Sequence, residues 1–499
     1  MNFATWLDRR AAHAPGRIAL THPVVEPTFG KVVPNLVTYR RLADEAACAA
    51  HHLEHVIGIA RGDRIALLAL NRPEHLVLLF ACARLGAMLV PLNWRLAPPE
   101  HDFILRDSGA RLLIHEPEFA ATAALAAALP DCRSVALPLA LGADREPDDP
   151  AVGTDAPLLI VYTSGTTGHP KGAVLTQDAL LWNAVNSIAA HDLSSRDHVL
   201  TTIPMFHVGG LNIQTIPALH AGATVSLHPR FDAGATLRAI ADQRITVTVL
   251  VPAQLAALIQ HPDWASADLS TLRLLATGSS IVPAHLIEPF LARGIPVINV
   301  YGATETAPIA TVLDPGDAAR KLGSCGKPAL HCAVRIADDA GRDVPPGTRG
   351  EILVRGPNVL REYWNDPAAT REALVDGWFH TGDIGHVDDE GFFYVDDRKK
   401  EVIISGGENV YPAEVEAVLA GLPGIAEVAV TARPDPRWGE VPVAVVVRRP
   451  GASVTEPEIL SAFEGRLARY KCPHAVVFVD ALPRTALGKV QKFKLREIV

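Results

Sequence analysis

Residues Tyr162 to Gly172 read YTSGTTGHPKG and gather more potential chemistry than any other stretch of the chain. Thr163, Ser164 and Thr166 carry hydroxyls that can donate to phosphate oxygens, and Thr167 adds a fourth. Gly165 and Gly168 allow positive φ and a close approach of backbone to an anion. Lys171 adds a mobile positive charge suited to a polyphosphate. Apolar runs flank the segment, Leu158 to Val161 before it and Ala173 to Leu175 after it. The pattern predicts a strand, a phosphate-holding loop and a second strand. It does not fit the P-loop of nucleotide hydrolases: Pro170 stands where that motif needs glycine, and Gly172 where it needs Ser or Thr. Read as an ordinary Ser/Thr/Gly surface turn, the segment would need four hydroxyls, two glycines, a proline and a lysine to coincide by chance.

The segment is similar to the phosphate-loop signature of the adenylate-forming superfamily. That superfamily includes acyl- and aryl-CoA synthetases, luciferases and peptide-synthetase adenylation domains. Further motifs extend the resemblance to Lys492. In PMFHVGGL, Phe206 and His207 stand beside Gly209 and Gly210, which leave room for a bulky group. The resemblance implies that His207 gates an acyl pocket and assists catalysis, with Val208, Gly209, Gly210, Leu211 and Ala307 as lining. In YGATE, Glu305 can hold Mg²⁺ against triphosphate oxygens, and Thr163 is a second metal candidate. Tyr301 offers a flat face to adenine, and Asn299, Gly302, Ala303 and Thr304 complete that edge. Gly278, Ser279 and Ser280 resemble the family's adenine-edge segment, although more familiar members have Gly and Ala there.

In WFHTGD the resemblance assigns Asp383 to the ribose hydroxyls, with Arg398 as a charged contact to the ribose or α-phosphate region. A Thr-Gly-Asp turn is also a common local cap. The longest match, DRKKEVIISGGENVYPAEVE, puts Lys400 at the family's domain hinge. Ser405, Gly406, Gly407 and Glu408 form a tight loop suited to the pantetheine arm of coenzyme A. Trp438 resembles a residue flanking the CoA entrance, but serves equally as a structural aromatic. Lys489, in PRTALGKVQK, matches the family's catalytic lysine, which neutralises charge on the carboxylate and α-phosphoryl oxygens in the transition state.

These residues need strand ends to present them. Up to about residue 150 helical and strand patterns alternate: Tyr39–His55, Arg64–Leu70, Pro73–Leu85, Met88–Leu92, Pro99–Ser108 and Ala110–His115. Such alternation predicts parallel βαβ units. A helix and a variable surface connection follow over Ala120–Pro157. Thr176 is a candidate N-cap for a helix over Asp178–Ala190. A second series runs from strand His198–Ile203 to strand Pro296–Tyr301, with a helix expected over Gly209–Leu219. From about Gly323, short strands and Gly/Pro/Asp turns predict a small antiparallel unit. The last hundred residues repeat a βαβ texture.

The expected fold is α/β: two doubly wound sheets and a small β unit in an N-terminal domain over 1–397. A small mobile C-terminal α/β domain follows over 398–499, with its boundary at Asp397–Lys400.

Composition limits the alternatives. The 499 residues are 48% hydrophobic and 20% charged, with a net charge of -9, which gives no reason to expect a nucleic-acid partner. Six cysteines show no CxxC and read as reduced core residues of a cytoplasmic protein. Twenty histidines include one HxxxH, His51 and His55, but no HExxH, so metal capture by histidine is not expected. The N-terminus lacks a signal-peptide apolar region, and Leu76–Leu92 reads as a buried helix and strand, not a membrane span. A homodimer is an admissible assembly.

The resemblance implies a two-step ligase using ATP, Mg²⁺ and coenzyme A, with a small carboxylic acid as substrate. The pocket segments His207–Leu211, Gly278–Ile281 and Gly302–Ile309 contain no Lys or Arg, so a second substrate carboxylate is not expected. What remains is an apolar monocarboxylic acid. A medium- or long-chain fatty acid is the first expectation and a hydroxycinnamate such as coumarate or ferulate the alternative. Loading of a carrier protein and non-catalytic acyl-nucleotide sensing are rival classes.

Overall fold

The structure is a computed structural model. It describes residues 2–25, 32–126, 129, 131–145, 152–163, 170–278, 282–398, 401–405, 408–436, 438–463, 466–467, 469–485 and 488–499. The chain is mixed α/β and forms two compact units. Met1–Val334 and Val354–Phe379 make the first, and Arg335–Leu353 and His380–Val499 the second.

The first unit holds two large sheets. Among the described residues one has seven strands, with Pro157–Thr163, Met88–Pro91, Arg64–Leu68, Leu112–His115 and Arg133–Ala136 parallel neighbours in that order. Met88–Pro91 and Leu112–His115 are buried along their whole length, as expected when helices cover both faces of a parallel sheet. The intervening helix Glu74–Leu85 buries His75 to Leu85 without a break, so it has no solvent stripe at all. Gly86, at φ 68, ends it in the left-handed conformation that glycine adopts freely. Lys171–Thr176 folds back on Pro157–Thr163 as an antiparallel neighbour, and Glu362–Tyr363 adds to its outer edge.

The second sheet has nine strands and a parallel centre: Val297–Tyr301, Leu274–Gly278, Val247–Val249, His198–Thr201 and Thr224–Leu227. The expected series of strands is present. One edge was not foreseen. Ile18–Val25 runs parallel to Thr224–Leu227, and Val32–Thr38 pairs antiparallel beside it. The N-terminal segment therefore belongs to this sheet, not to the first α/β series. Its partner lies some two hundred residues away, and IALTHPVV has no regular alternation to announce a face. The Tyr39 hydroxyl fixes the arrangement by donating to the Leu219 and Ala223 carbonyls at 3.1 and 2.7 Å.

Thr176 caps the helix Gln177–His191 as expected, accepting from the Ala179 N–H at 3.1 Å. The helix expected over 209–219 is interrupted. A turn at Val208–Gly210 passes into a π-helical stretch, Leu211–Thr215, before Ile216–Ala221. Such π turns are uncommon and often mark functional sites.

A buried side chain joins the two sheets. Asn71, just beyond the strand Arg64–Leu68, donates from Nδ2 to the Ile203 carbonyl at 2.9 Å. Its Oδ1 accepts from the Met205 N–H at 2.7 Å. One amide thus fixes where the chain leaves His198–Thr201 and enters PMFHVGG.

In the second unit, Trp378–Val387, whose first two residues belong to the first unit, pairs antiparallel with Phe393–Arg398. The C-terminal part packs Pro412–Ala420 and Glu456–Ser461 on a sheet. Its order is Glu408–Val410, Ile403–Ser405, Gly439–Arg448, Ile425–Asp435, with Ala475–Phe478 parallel to Gly439–Arg448. Ile403, Val415, Leu419, Val430, Val446 and Phe463 form its core.

Replacing Asn71 with Ala strands a carbonyl and an N–H in a buried setting, at about 1–3 kcal/mol for each group. Urea unfolding should show a loss of roughly 2–6 kcal/mol on that basis; a loss below about 0.5 kcal/mol would show that the clamp is replaceable.

Candidate active site

The phosphate-loop candidate is held at its base. Pro157–Thr163 and Lys171–Thr176 pair in register, with Thr163 opposite Lys171. The Thr163 hydroxyl turns to the Lys171 carbonyl at 3.4 Å. Ser164, Gly165, Thr166, Thr167 and Gly168 lie outside the described residues. Tyr162, the first residue of the motif, faces the scaffold instead. Its hydroxyl donates to Asp107 Oδ2 at 2.6 Å, and burial together with this carboxylate raises its pKa. Asp107 also receives Trp364 Nε1 and Asn365 Nδ2 on its carbonyl, at 3.0 and 3.1 Å.

Those contacts bring in a residue that motif reading passed over. Tyr363 pairs opposite Ala173 on the strand that leaves the loop. Lys171 Nζ lies 5.5 Å from the Tyr363 ring centroid, within cation–π range. The Tyr363 hydroxyl donates to Glu305 Oε1 at 2.8 Å. Lys171, Tyr363 and Glu305 therefore form one row of cation, ring and carboxylate across the mouth of the two strands. Glu305 is only 9% exposed, and this hydroxyl gives its buried carboxylate a hydrogen-bond donor. The available signal was the REYWND run: a tyrosine beside a tryptophan in a short polar stretch, with no chemical spacing of its own.

The turn carrying Glu305 is fixed by its surroundings. Val297–Tyr301 delivers Tyr301 at its end, with Asn299 two residues earlier, and Thr304–Thr306 forms a 3₁₀ turn. The Ala303 N–H donates to Thr306 Oγ1 at 2.9 Å, and that hydroxyl donates to the Pro308 carbonyl at 2.7 Å. Asn358 Nδ2 donates to the Thr306 and Ile309 carbonyls at 2.6 and 2.8 Å, and Asn183 Oδ1 accepts from the Ile309 N–H at 3.1 Å. A Cβ on Gly302 would collide with the Pro308 carbonyl, which accounts for that glycine by packing alone. Gly278 ends its strand opposite Val300, while Ser279, Ser280 and Ile281 lie outside the described residues.

His207 begins the segment expected to face the acyl group. Its Nδ1 accepts from the Gly209 N–H at 3.1 Å, which leaves the proton of the neutral ring on Nε2. Burial pulls its pKa down to about 4, so the ring is neutral at pH 7. Val208, Leu211 and Ala307 are buried. The expected spare room at Gly210 is not there: a Cβ would strike the Ile203 and Pro204 carbonyls, so its space is taken by backbone. Two amides in the following π turn, Asn212 and Gln214, are each 1% exposed and meet no hydrogen-bond partner among the described residues. The Thr202 and Thr277 hydroxyls are in the same condition.

The remaining candidates stand in the second unit. Asp383 is 4% exposed, lies opposite Arg398, and its N–H donates to Thr381 Oγ1 at 3.0 Å. Trp378 stacks against the Arg355 guanidinium, 4.6 Å from the ring centroid. Ser405 and Glu408 pair across the loop whose centre, Gly406–Gly407, is outside the described residues, as is Lys400. Trp438 is 41% exposed at the tip of the hairpin formed by Ile425–Asp435 and Gly439–Arg448. Lys489 is exposed in a tight turn: its N–H donates to Thr485 Oγ1 at 3.1 Å, and its carbonyl accepts from the Thr485 N–H at 2.7 Å.

Among the described residues, no three or more His, Cys, Asp or Glu side chains gather as a metal cage. A single carboxylate such as Glu305 suits Mg²⁺, which keeps several waters and takes its other ligands from phosphates. No described helix is long and apolar enough to cross a membrane.

Residues 7–364 match the AMP-binding enzyme family and residues 414–489 match the AMP-binding enzyme C-terminal domain, so the chain belongs to the AMP-binding enzymes. It is 53% identical to an indoleacetate–CoA ligase of Aromatoleum aromaticum, covering 100% of this chain and 98% of that one. It is 46% identical to a feruloyl-CoA synthase of an Amycolatopsis species, over 99% and 98% of the two chains. A solved fatty acyl-CoA synthetase of Mycobacterium tuberculosis superposes with a TM-score of 0.79 at 38% identity, covering 100% of this chain and 98% of that one. The chain is an AMP-forming acid–CoA ligase.

Tyr363→Phe removes the donor to a buried carboxylate while keeping the ring beside Lys171. Acid-dependent exchange of pyrophosphate into ATP should fall by about 10–100-fold, the weight of a charged hydrogen bond. An unchanged exchange rate would separate Tyr363 from the chemistry.

Proposed function

We propose that the protein activates an aromatic or arylacetic monocarboxylic acid and transfers it to coenzyme A. The observation that carries the reading is the Lys171–Tyr363–Glu305 row at the phosphate-loop mouth. The acid's carboxylate oxygen attacks the α-phosphorus of ATP, and the bond to pyrophosphate breaks. The CoA sulfur then attacks the acyl carbon, and the bond to AMP breaks. Lys171 and the loop hydroxyls bind phosphate oxygens. Glu305 would hold Mg²⁺, which when bound would supply neutralising charge to the triphosphate. Asp383 and Arg398 hold the ribose side, and neutral His207 closes the acyl pocket. The C-terminal domain, 398–499, rotates about Lys400. It presents Lys489 for adenylation, then the Ser405–Glu408 loop, with Trp438, for thioester formation.

An aromatic acid is favoured over a long alkyl chain for two reasons. The higher identities are to ligases named for indoleacetate and ferulate. The buried amides of Asn212 and Gln214 also lie on the segment bearing Val208–Leu211. An alkyl chain would leave them uncompensated, whereas a ring N–H or hydroxyl can answer them. The likeness to a fatty acyl-CoA synthetase supports the second reading, a fatty acid.

AMP release with CoA should show kcat/KM for indole-3-acetate or ferulate at least about 10-fold above that for decanoate, the lower range for hydrogen-bonding discrimination. The reverse order would return the assignment to fatty acids. Lys489→Ala should slow adenylation by about 10²–10³-fold, as loss of one preorganised donor does. Thioester formation from supplied acyl-AMP should survive in that variant. Equal loss in both half-reactions would contradict the role given to Lys489.

A further inference from the structure

Three residues beyond Lys489 stands a second lysine that behaves differently. The Lys492 side chain is only 14% exposed, and its Nζ lies 2.8 Å from Glu416 Oε1 and 3.5 Å from Glu401 Oε2. Burial alone would lower its pKa, but Glu416, Asp397 and Glu401 outweigh that and raise it. Each carboxylate belongs to a different part of the unit. Glu416 lies on the helix Pro412–Ala420, and its Oε1 also accepts from the Val430 N–H at 2.7 Å. Asp397 Oδ2 accepts from the Ala413 N–H at 2.9 Å at the start of that helix. Asp397 and Glu401 bracket residues 398–400.

Among the described residues the turn bearing Lys489 also has an exposed ionic tie. Arg484 donates to the Gly488 carbonyl at 2.5 Å and to Glu427 Oε2 at 2.6 Å. That pair is 41% exposed on both sides, so water and salt weaken it. Breaking a buried pair leaves an uncompensated charge, so Lys492 is the stronger anchor. Val490, between the two lysines, bridges back to Arg484 and packs beside Leu482 and Leu495.

We infer that Lys492 is a positioning residue. It ties the Lys489 turn to the helix Pro412–Ala420 and to Glu401, with Asp397 adding attraction from the other side of residues 398–400, so that Lys489 is held in place on its own unit. The inference rests on the proposed role of Lys489. Lys492 itself touches no substrate; its effect passes through the turn.

The test compares wild type, Lys492→Met, Lys492→Arg, Glu416→Gln and Lys489→Ala as full-length chains. Two rates are read for each: acid-dependent pyrophosphate exchange, and thioester formation from supplied acyl-AMP and CoA. A misplaced catalytic group loses about 10²-fold in rate. Lys492→Met should therefore lower kcat for adenylation by about 10–100-fold. KM for ATP and thioester formation should stay within about twofold of wild type, since neither binding nor the second step uses the turn. Lys492→Arg should recover most of the loss. Glu416→Gln keeps an acceptor for Val430 and should show the same selective defect if Lys492→Met fails to fold. Equal loss in both half-reactions, or none in either, overturns the inference. If Lys489→Ala is impaired in adenylation while Lys492→Met and Glu416→Gln are not, only the positioning role falls. If Lys489→Ala adenylates normally, the catalytic reading of that lysine falls and the positioning role with it.

Discussion

One hydrogen bond between distant segments organises the candidate chemistry of the first unit: the Tyr363 hydroxyl on the Glu305 carboxylate. Glu305 is buried, and a buried polar group without a hydrogen-bond partner is costly. The tyrosine satisfies one carboxylate oxygen and fixes where the side chain lies. The same ring lies beneath Lys171, so the positive and negative ends of the site share one spacer. That spacer sits on a two-residue strand at a sheet edge, where the outgoing strand of the phosphate loop is its pairing partner. The strands flanking the loop, the cation and the carboxylate are thus set relative to one another before any ligand arrives.

The surroundings follow from this requirement for fixed positions. The turn that holds Glu305 is tied down by Asn358, Asn183 and Thr306, and its glycine at 302 has no space for a side chain. The segment proposed to face the acyl group is located by Asn71, which reaches across from the other sheet to grip Ile203 and Met205. These are buried amides with both ends satisfied. Against that background the unanswered amides of Asn212 and Gln214 stand out. Native interiors rarely leave such groups unpaired, and these two lie on the segment to which the proposed function assigns the acyl group.

Much of this was legible in the residues themselves. The loop motif, the strand ends bearing His207, Tyr301 and Glu305, and the Thr176 cap are local signals: hydroxyls, glycines and apolar runs within a dozen positions. Tyr363 was not legible, because its meaning comes from pairing with a strand almost two hundred residues earlier. The N-terminal strands escaped for the same reason, since Ile18–Val25 takes its place from Thr224–Leu227 and not from its own pattern. Gly210 was misread because an open position and a position filled by neighbouring backbone both select glycine. Lys492 has no chemical spacing of its own in the sequence, and its burial among carboxylates separates it from exposed Lys494.

The central claim is that the acid is first joined to AMP, before coenzyme A takes part. Mixing the protein with Mg²⁺–ATP and indole-3-acetate in the absence of CoA, then quenching and weighing the products by mass spectrometry, tests it directly. The account predicts enzyme-bound indoleacetyl-AMP and released pyrophosphate, approaching one equivalent per active chain. ADP and inorganic phosphate in their place, or no nucleotide product until CoA is added, would contradict it.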